Sequence, residues 1–296
     1  MDLQVLGSQF ESYSTHIRGF SKDTVRRYHG ALGLFLRETR ARELEEVTPG
    51  MVRTWFFHGR SDRGWSAATF QTYYKSLLVF FRWCIREGYL AQNPVADIER
   101  PRLEKKLRRK LTKQEALQLL EYAYNYPYPH AYLRFRNHAM LATFIFAGLR
   151  KNELVSLTLA DVDLENRSIL VRQGKGSKDR VIPINPTRGG ILTRYLQERK
   201  RLGKTCPQLF ASFIRNVGIT QEGIHLLIGQ IRRASKLQFS AHSLRHTFAT
   251  LMLEGGCDIY SLSKMLGHTD IKTTTIYLAA SVEHLRSQMD KHPLNF

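Results

Sequence analysis

The chain has 296 residues, 43% of them hydrophobic and 24% charged, enough apolar material for one large core or two modest ones. Forty-five Lys and Arg against 26 Asp and Glu leave a net charge of +19 and a pI near 10.1, which points to a polyanionic partner, nucleic acid ahead of a membrane surface. No apolar run is long enough for a spanning helix and the start, MDLQVLGSQFESY, has neither a basic n-region nor an apolar h-region. Cys84, Cys206 and Cys257 are scattered with no CxxC, so disulfide and cysteine-rich zinc frameworks are disfavoured, and a cytoplasmic protein with reduced thiols is expected.

The first hundred residues read as helical throughout. In FSKDTVRRYHGALGLFLRETR, Ser21 is a candidate cap, and Val25, Tyr28, Leu32 and Phe35 recur at helical spacing, leaving Arg26, Arg27 and Arg37 on other faces. VTPGMVRTWFF repeats the start signal, with Thr48 as cap and Pro49 at the first helical position, where its missing N–H costs nothing. A further helix opens at Ser66 and sets Phe70, Tyr73, Leu77, Phe80, Phe81 and Cys84 along one side, until Pro94 and Pro101 disfavour helix. RPRLEKKLRRKLT, dense in Lys and Arg, then reads as a solvated linker, which a basic domain on each side would also let track phosphates.

Beyond Thr112, a candidate cap, helical periodicity resumes in KQEALQLLEYAY and in NHAMLATFIFAGLRKNELVSLTLADVDL. The period changes in RSILVRQGKGSKDRVIPI, where alternation on both sides of Gly174 and Gly176 predicts a β-hairpin with a lysine-bearing turn. Helices return from TRGGILTRYLQERKR onwards. The expected fold is mainly α in two domains, residues 1–101 all helical and 112–296 mostly helical with a small antiparallel hairpin or sheet, joined by a basic linker over 102–111.

Candidate chemistry concentrates in AHSLRHTFATLMLEGGCDIYSLSKMLGHTDIKTTTIY, residues 241 to 277. Ser240 caps a helix with Leu244, Phe248 and Leu251 as its buried stripe, and His242 and Arg245, three apart, stand near its start. Unpaired N–H groups and a guanidinium fork there suit a phosphate, although such a pair is most often an ordinary surface contact. The next helix is capped by Asp258, buries Ile259, Leu262 and Leu266, and stops at Gly267, which leaves His268 at a chain reversal. Thr273, Thr274 and Thr275 then give a weakly helical segment, with Thr269 as a cap-like start, that carries Tyr277 and can move. Upstream, Arg150 ends an apolar run in which Ala147 and Gly148 permit close approach of another backbone, with Glu153 placed to hold it; Lys175 stands at the hairpin tip with Lys178 as its competitor. Taken together, two arginines suit a pentacoordinate phosphate, histidine and lysine move protons, and a tyrosine hydroxyl can attack phosphorus; no carboxylate or cysteine/histidine cluster calls for a metal.

The order Arg150, Lys175, His242, Arg245, His268, Tyr277, with the strings GLRKNEL, GKGSKDRVIP, HSLRHTFAT and LGHTDIKTTTIY, resembles the signature of the tyrosine recombinases, the phage integrase family, in its simple Xer-like form. The resemblance covers essentially the whole chain and implies a helical, SAM-like core-binding domain followed by the catalytic domain. It implies Tyr277 as nucleophile forming a 3′-phosphotyrosyl bond, Arg150 and Arg245 on the scissile phosphate, Lys175 as general acid, His242 assisting proton transfer at Tyr277, His268 bonding the phosphate, and Glu153 supporting the first arginine. It implies strand exchange through a Holliday junction, with neither metal nor ATP nor other cofactor. The implied partners are double-stranded DNA with a short inverted-repeat core site, a homotetramer on that DNA, and in some systems a second related recombinase; no membrane is involved. DNA contacts are expected at Arg26, Arg27, Lys75, Lys105, Lys106, Arg108, Arg109 and Lys178. The C-terminal SVEHLRSQMDKHPLNF spaces Val282, Leu285 and Met289 for packing into a neighbouring subunit. A type IB topoisomerase shares the chemistry but not the core-binding half, a catalytically silent DNA-binding protein would leave the ordered set unexplained, and a membrane-surface protein would need an exposed apolar helix face.

Overall fold

The computed structural model describes residues 1–103, 109–172, 179–268, 270–277 and 289–290. Its contacts divide the chain into two units, Met1–Lys106 and Leu107–Phe296, each with its own core. No described helix is long and apolar enough to cross a membrane.

The first unit is built from α1 (Leu3–Ser12), α2 (Lys22–Thr39), α3 (Pro49–Ser61) and α4 (Ala67–Arg86). Each begins where a side-chain oxygen takes up orphan backbone N–H groups: Asp2 accepts from Gln4 and Val5, Ser21 from Thr24, Thr48 from Met51, and Ser66 from Thr69. The sequence reading marks the last three starts and passes over α1, whose Leu3, Leu6 and Phe10 complete the core beside Leu32, Phe35, Phe56, Phe70, Leu77, Phe80 and Phe81. Edge-on aromatic contacts tie α2 to α3 through Phe35 and Trp55, and the Trp55 indole N–H donates to Glu38 at 2.6 Å. Arg26, Arg27, Arg37 and Lys75 stay exposed on the outward faces.

In the second unit, α5 (Lys113–Asn125) starts with a reciprocal cap in which Thr112 and Glu115 satisfy each other's backbone N–H. The following α6 (Ala131–Ala147) is the central post: residues 139 to 145 are buried on every side, with α5 packed against it. The apolar stretch through residue 164, read as continuous helix, is interrupted instead. Gly148 adopts a left-handed conformation (φ 59°), Arg150 is extended, and only α7 (Lys151–Ser156) follows before a 3₁₀ turn and β1 (Val162–Asp163). The cause is tertiary: Leu157 and Leu159 exchange backbone bonds with Leu209 and Pro207, which helical periodicity cannot foresee.

The predicted hairpin is β2 (Ser168–Val171) and β3 (Arg180–Pro183), antiparallel with Ser168 opposite Pro183 and Val171 opposite Arg180; β1 adds a third strand beside β2. Then come α8 (Pro186–Arg201), α9 (Gln221–Ser235), α10 (Ala241–Glu254) and α11 (Ile259–Leu266), with α8 and α10 also packed on α6. Residues 202–220, between α8 and α9, are irregular and anchored by polar groups: the Tyr132 and Tyr195 hydroxyls donate to the carbonyls of Ala211 and Leu209, and the Arg199 guanidinium to those of Lys204, Cys206 and Gln208. Cys84 and Cys206 are buried, Cys257 is partly so, and all three are free thiols.

At Gly148 the close neighbour is a side chain, not the backbone that its small size suggested. A Cβ built there would stand 2.3 Å from the Phe248 ring, on a backbone that L side chains rarely adopt. Gly148→Ala is therefore expected to lower stability by about 2–4 kcal/mol, from left-handed strain plus overpacking of α10 against α6, read as a lower denaturant midpoint at unchanged slope.

Candidate active site

The site grows from the start of α10. Ser240 and Ser243 cap its first turn reciprocally, and Leu244 and Phe248 bury one face. That burial turns Arg245 inward, 4% exposed, where one nitrogen of its guanidinium donates to the Gly148 carbonyl (2.8 Å) and another to the Leu266 carbonyl (2.6 Å) and His268 Nε2 (3.1 Å). Both carbonyls lie at helix C-termini, those of α6 and α11, where backbone oxygens lack helical partners and carry the negative end of the dipole. Burial, then repulsion from Arg150 and Arg180, draws the Arg245 pKa down to about 10 against the pull of Glu153, 4.0 Å away, so the guanidinium stays charged at neutral pH.

Glu153 is the hub beside it. Its carboxylate accepts from the Arg150 backbone N–H (2.7 Å), from the Arg150 guanidinium (2.7 Å), and from both Nη groups of Arg180 (3.0 and 2.7 Å). Glu153 and Arg180 are nearly buried, whereas the Arg150 side chain is 45% exposed, held along one edge and presented outward. Burial alone would push the Glu153 carboxyl up; Arg180 and Arg150 outweigh it and hold the group at about 2.

Gly267, left-handed at φ 66°, ends α11 and delivers His268. Because a guanidinium only donates, His268 Nε2 is the acceptor from Arg245. The ring is therefore the neutral Nδ1–H tautomer, which donates to the fully buried Thr274 hydroxyl at 2.8 Å. Burial, followed by the charges of Arg245, Arg150 and Arg180, lowers this histidine to about 4. Two 3₁₀ turns, Ile271–Thr273 and Thr275–Tyr277, carry the chain on, as the run of threonines disfavours an α-helix, and Asp270 caps the first. Tyr277 packs half-buried against the cluster of Phe248, Leu262 and Leu266; Ile259 stays only partly buried. The Tyr277 ring lies 5.0 Å from that of His246, whose Nε2 shares a 3.0 Å hydrogen bond with His242 Nε2. His242 and His246 line an open cleft of about 320 Å³ together with Arg109 and Arg232.

The structure thus joins Arg150, Glu153, Arg245 and His268 through one polar cluster, and brings His242 and Tyr277 to either side of His246. Lys175, Lys178, Lys105, Lys106, Arg108, Thr269, Val282 and Leu285 lie outside the described residues. Among the expected DNA contacts, Arg26, Arg27 and Lys75 are exposed on the first unit and Arg109 on the second; Arg26 is 3.3 Å from Asp23, and Arg27 lies over the Tyr28 ring. Sequence reasoning passed over Arg180, His246 and Thr274. Arg180 had a signal, since period two places it on the inward face of β3 with Ile182, and so had His246, one turn from His242. Among the described residues no three His, Cys, Asp or Glu side chains group to hold a metal.

The phage integrase family model matches residues 109–284, and that of the phage integrase N-terminal SAM-like domain matches residues 6–89. The chain is 33% identical over 285 residues to the tyrosine recombinase XerD of Oceanobacillus iheyensis, covering 93% of this chain and 94% of that protein. Among solved structures it resembles the XerH site-specific recombinase bound to palindromic difH substrate in a post-cleavage complex, at 25% identity and TM-score 0.74, covering 96% of this chain and 84% of that one. The Tn1549 transposon integrase in complex with transposon right end DNA shares the fold, at 19% identity and TM-score 0.76, covering 98% of this chain and 99% of that one. With a SAM-like N-terminal domain and a mostly helical C-terminal domain containing a small antiparallel sheet, the chain belongs to the phage integrase family and is a tyrosine recombinase of the Xer-like kind.

Proposed function

We propose that this chain cuts and rejoins DNA at a specific site through a covalent bond to Tyr277. The observation that carries the reading is the pair of guanidiniums Arg150 and Arg245, both bound to or near Glu153, with neutral His268 on one of them and Tyr277 on the adjoining turn. In this reading the non-bridging oxygens of the scissile phosphate bind Arg150 and Arg245, and His268 bonds the phosphate as it becomes pentacoordinate only once Nε2 has given up its bond from Arg245 and taken a proton. The Tyr277 oxygen bonds phosphorus, the bond to the 5′-oxygen breaks, and a 3′-phosphotyrosyl link and a free 5′-hydroxyl result. His242 takes part in removing the tyrosine proton and Lys175 supplies one to the leaving oxygen. The phosphotyrosyl link conserves the bond energy, so rejoining needs no ATP, and the guanidiniums supply the charge that metal ions provide elsewhere.

The wider reading follows from the family and from the charge. Residues 1–101 act as a core-binding domain and 112–296 as the catalytic domain. Double-stranded DNA with a short inverted-repeat core is gripped by Arg26, Arg27, Lys75 and Arg109, and by Lys105, Lys106, Arg108 and Lys178. Four protomers, or two pairs with a related recombinase, exchange strands through a Holliday junction in the cytoplasm, coupled by the segment of Val282, Leu285 and the exposed Met289. Removal of that segment should prevent tetramer assembly on DNA; sedimentation showing intact tetramers would sink the coupling.

The decisive experiment is covalent trapping on nicked suicide duplexes carrying neighbouring genomic inverted repeats, in the presence of a chelator. The parent protein should form an adduct and Tyr277→Phe none; full biological function in Tyr277→Phe would favour a silent DNA-binding protein. Arg245→Lys keeps the charge but loses the fork to two carbonyls and His268, and should slow adduct formation by about 100-fold or more.

Acid should weaken the catalytic unit in two steps of one sign. His268 titrates near 4 when folded against 6.5 ordinarily, as does the half-buried His138, so between those values the unfolded chain holds more protons and stability falls as the pH drops. Glu153, near 2 against 4.5, adds a second loss below that. Denaturation across pH should show His268→Gln shrinking the upper step to the share of His138 and leaving the lower one.

A further inference from the structure

We propose that Arg180, which lies outside the expected set of catalytic side chains, is a positioning residue for strand cleavage: it ties the start of β3 to Glu153 and to the end of α11, and thereby fixes Arg150 and His268 relative to each other. The proposal rests on the reading of Tyr277 and the two phosphate-binding arginines given above.

The geometry is a three-point brace. Arg180 opens β3 opposite Val171, and its side chain is 6% exposed. Its Nε–H donates to the Met265 carbonyl (2.7 Å), and its two Nη groups grip both oxygens of Glu153 (3.0 and 2.7 Å). The next carbonyl along, Leu266, is held by Arg245. Two guanidiniums from different elements therefore clamp consecutive carbonyls at the point where α11 gives way to Gly267 and His268. Through the same carboxylate, Arg180 also determines where Arg150 can rest, because Glu153 accepts from both.

Charge gives the brace a second consequence. Three guanidiniums surround one carboxylate, leaving two positive charges for the phosphate. With Arg180 neutral, a nearly buried Glu153 would have only Arg150 and Arg245 to satisfy it. It would draw on the two cations that face the reacting group, and Arg245 would be pulled from its carbonyls and from His268. Loss of the fork also removes the main influence holding the carboxylate ionised against burial. Arg180 itself does not reach DNA in this scheme.

The test compares Arg180→Met, Arg180→Lys and the double variant Arg180→Met/Glu153→Gln with the parent, measuring DNA affinity by titration and the adduct-forming rate on suicide duplexes across pH. Arg180→Met should bind DNA within about threefold of the parent yet form adduct about 100-fold more slowly, with an added loss on the acid side where the parent is flat. The double variant, relieved of the uncompensated carboxylate, should recover about tenfold or more, and Arg180→Lys should fall between parent and Arg180→Met. A folded Arg180→Met as fast as the parent overturns the proposal, as does a double variant no faster than Arg180→Met. If Arg180→Met does not fold, a folded double variant more than about 1000-fold below the parent overturns it equally. If the parent forms no Tyr277 adduct, it is the nucleophile assignment that fails. The brace is then judged by amide hydrogen exchange at Gly267 and His268 in the DNA-free protein, faster exchange in Arg180→Lys supporting it and unchanged protection overturning it.

Discussion

The catalytic unit is organised around one buried carboxylate. Placing Glu153 away from water is costly unless its charge is compensated and its oxygens are hydrogen-bonded, and here a backbone N–H and the guanidiniums of Arg150 and Arg180 do both. That single requirement explains why a short helix must start at Arg150, why the inward face of β3 accommodates a charged residue, and why the end of α11 approaches both. The excess positive charge, intolerable in an ordinary core, is dispersed onto carbonyls at the ends of α6 and α11. The same device recurs away from the site at Arg188, whose buried guanidinium rests on the carbonyls of Phe146 and Pro183.

What the sequence disclosed follows from which interactions are local. Caps at Ser21, Thr48, Ser66, Thr112, Ser240 and Asp258 are legible because donor and acceptor lie within three residues of one another. The change of period marks the sheet, though not β1, which is two residues long and hidden behind a six-residue helix. The interruption after Ala147 could not be told from periodicity alone, since the bonds that draw the following segment out of helix run to Pro207 and Leu209 on a distant stretch of chain.

The candidate site was legible in its proposed reactive groups and opaque in their supports. Arg150, His242, Arg245, His268 and Tyr277 announce themselves by order and residue type. Arg180, His246 and Thr274 act through partners on other elements: a carboxylate on α7, a tyrosine ring on the last turn, an imidazole after α11. Nothing in one-dimensional spacing distinguishes the hydroxyl of Thr274 from those of Thr273 and Thr275, yet Thr274 alone of the three is fully buried and bonded to His268.

That bond links two halves of the machinery. One imidazole touches Arg245 through Nε2 and the threonine before the Tyr277 turn through Nδ1, so a displacement of the tyrosine segment reaches the guanidinium within two hydrogen bonds. The Nε2 bond demands that the ring remain neutral, since a proton there would face the Arg245 donor where it now meets a lone pair, whereas the Nδ1–H bond to Thr274 survives protonation. The histidine therefore works as a one-sided latch: while uncharged it keeps the Tyr277 turn and the arginine in register, and protonation would free the guanidinium while the turn stays bound.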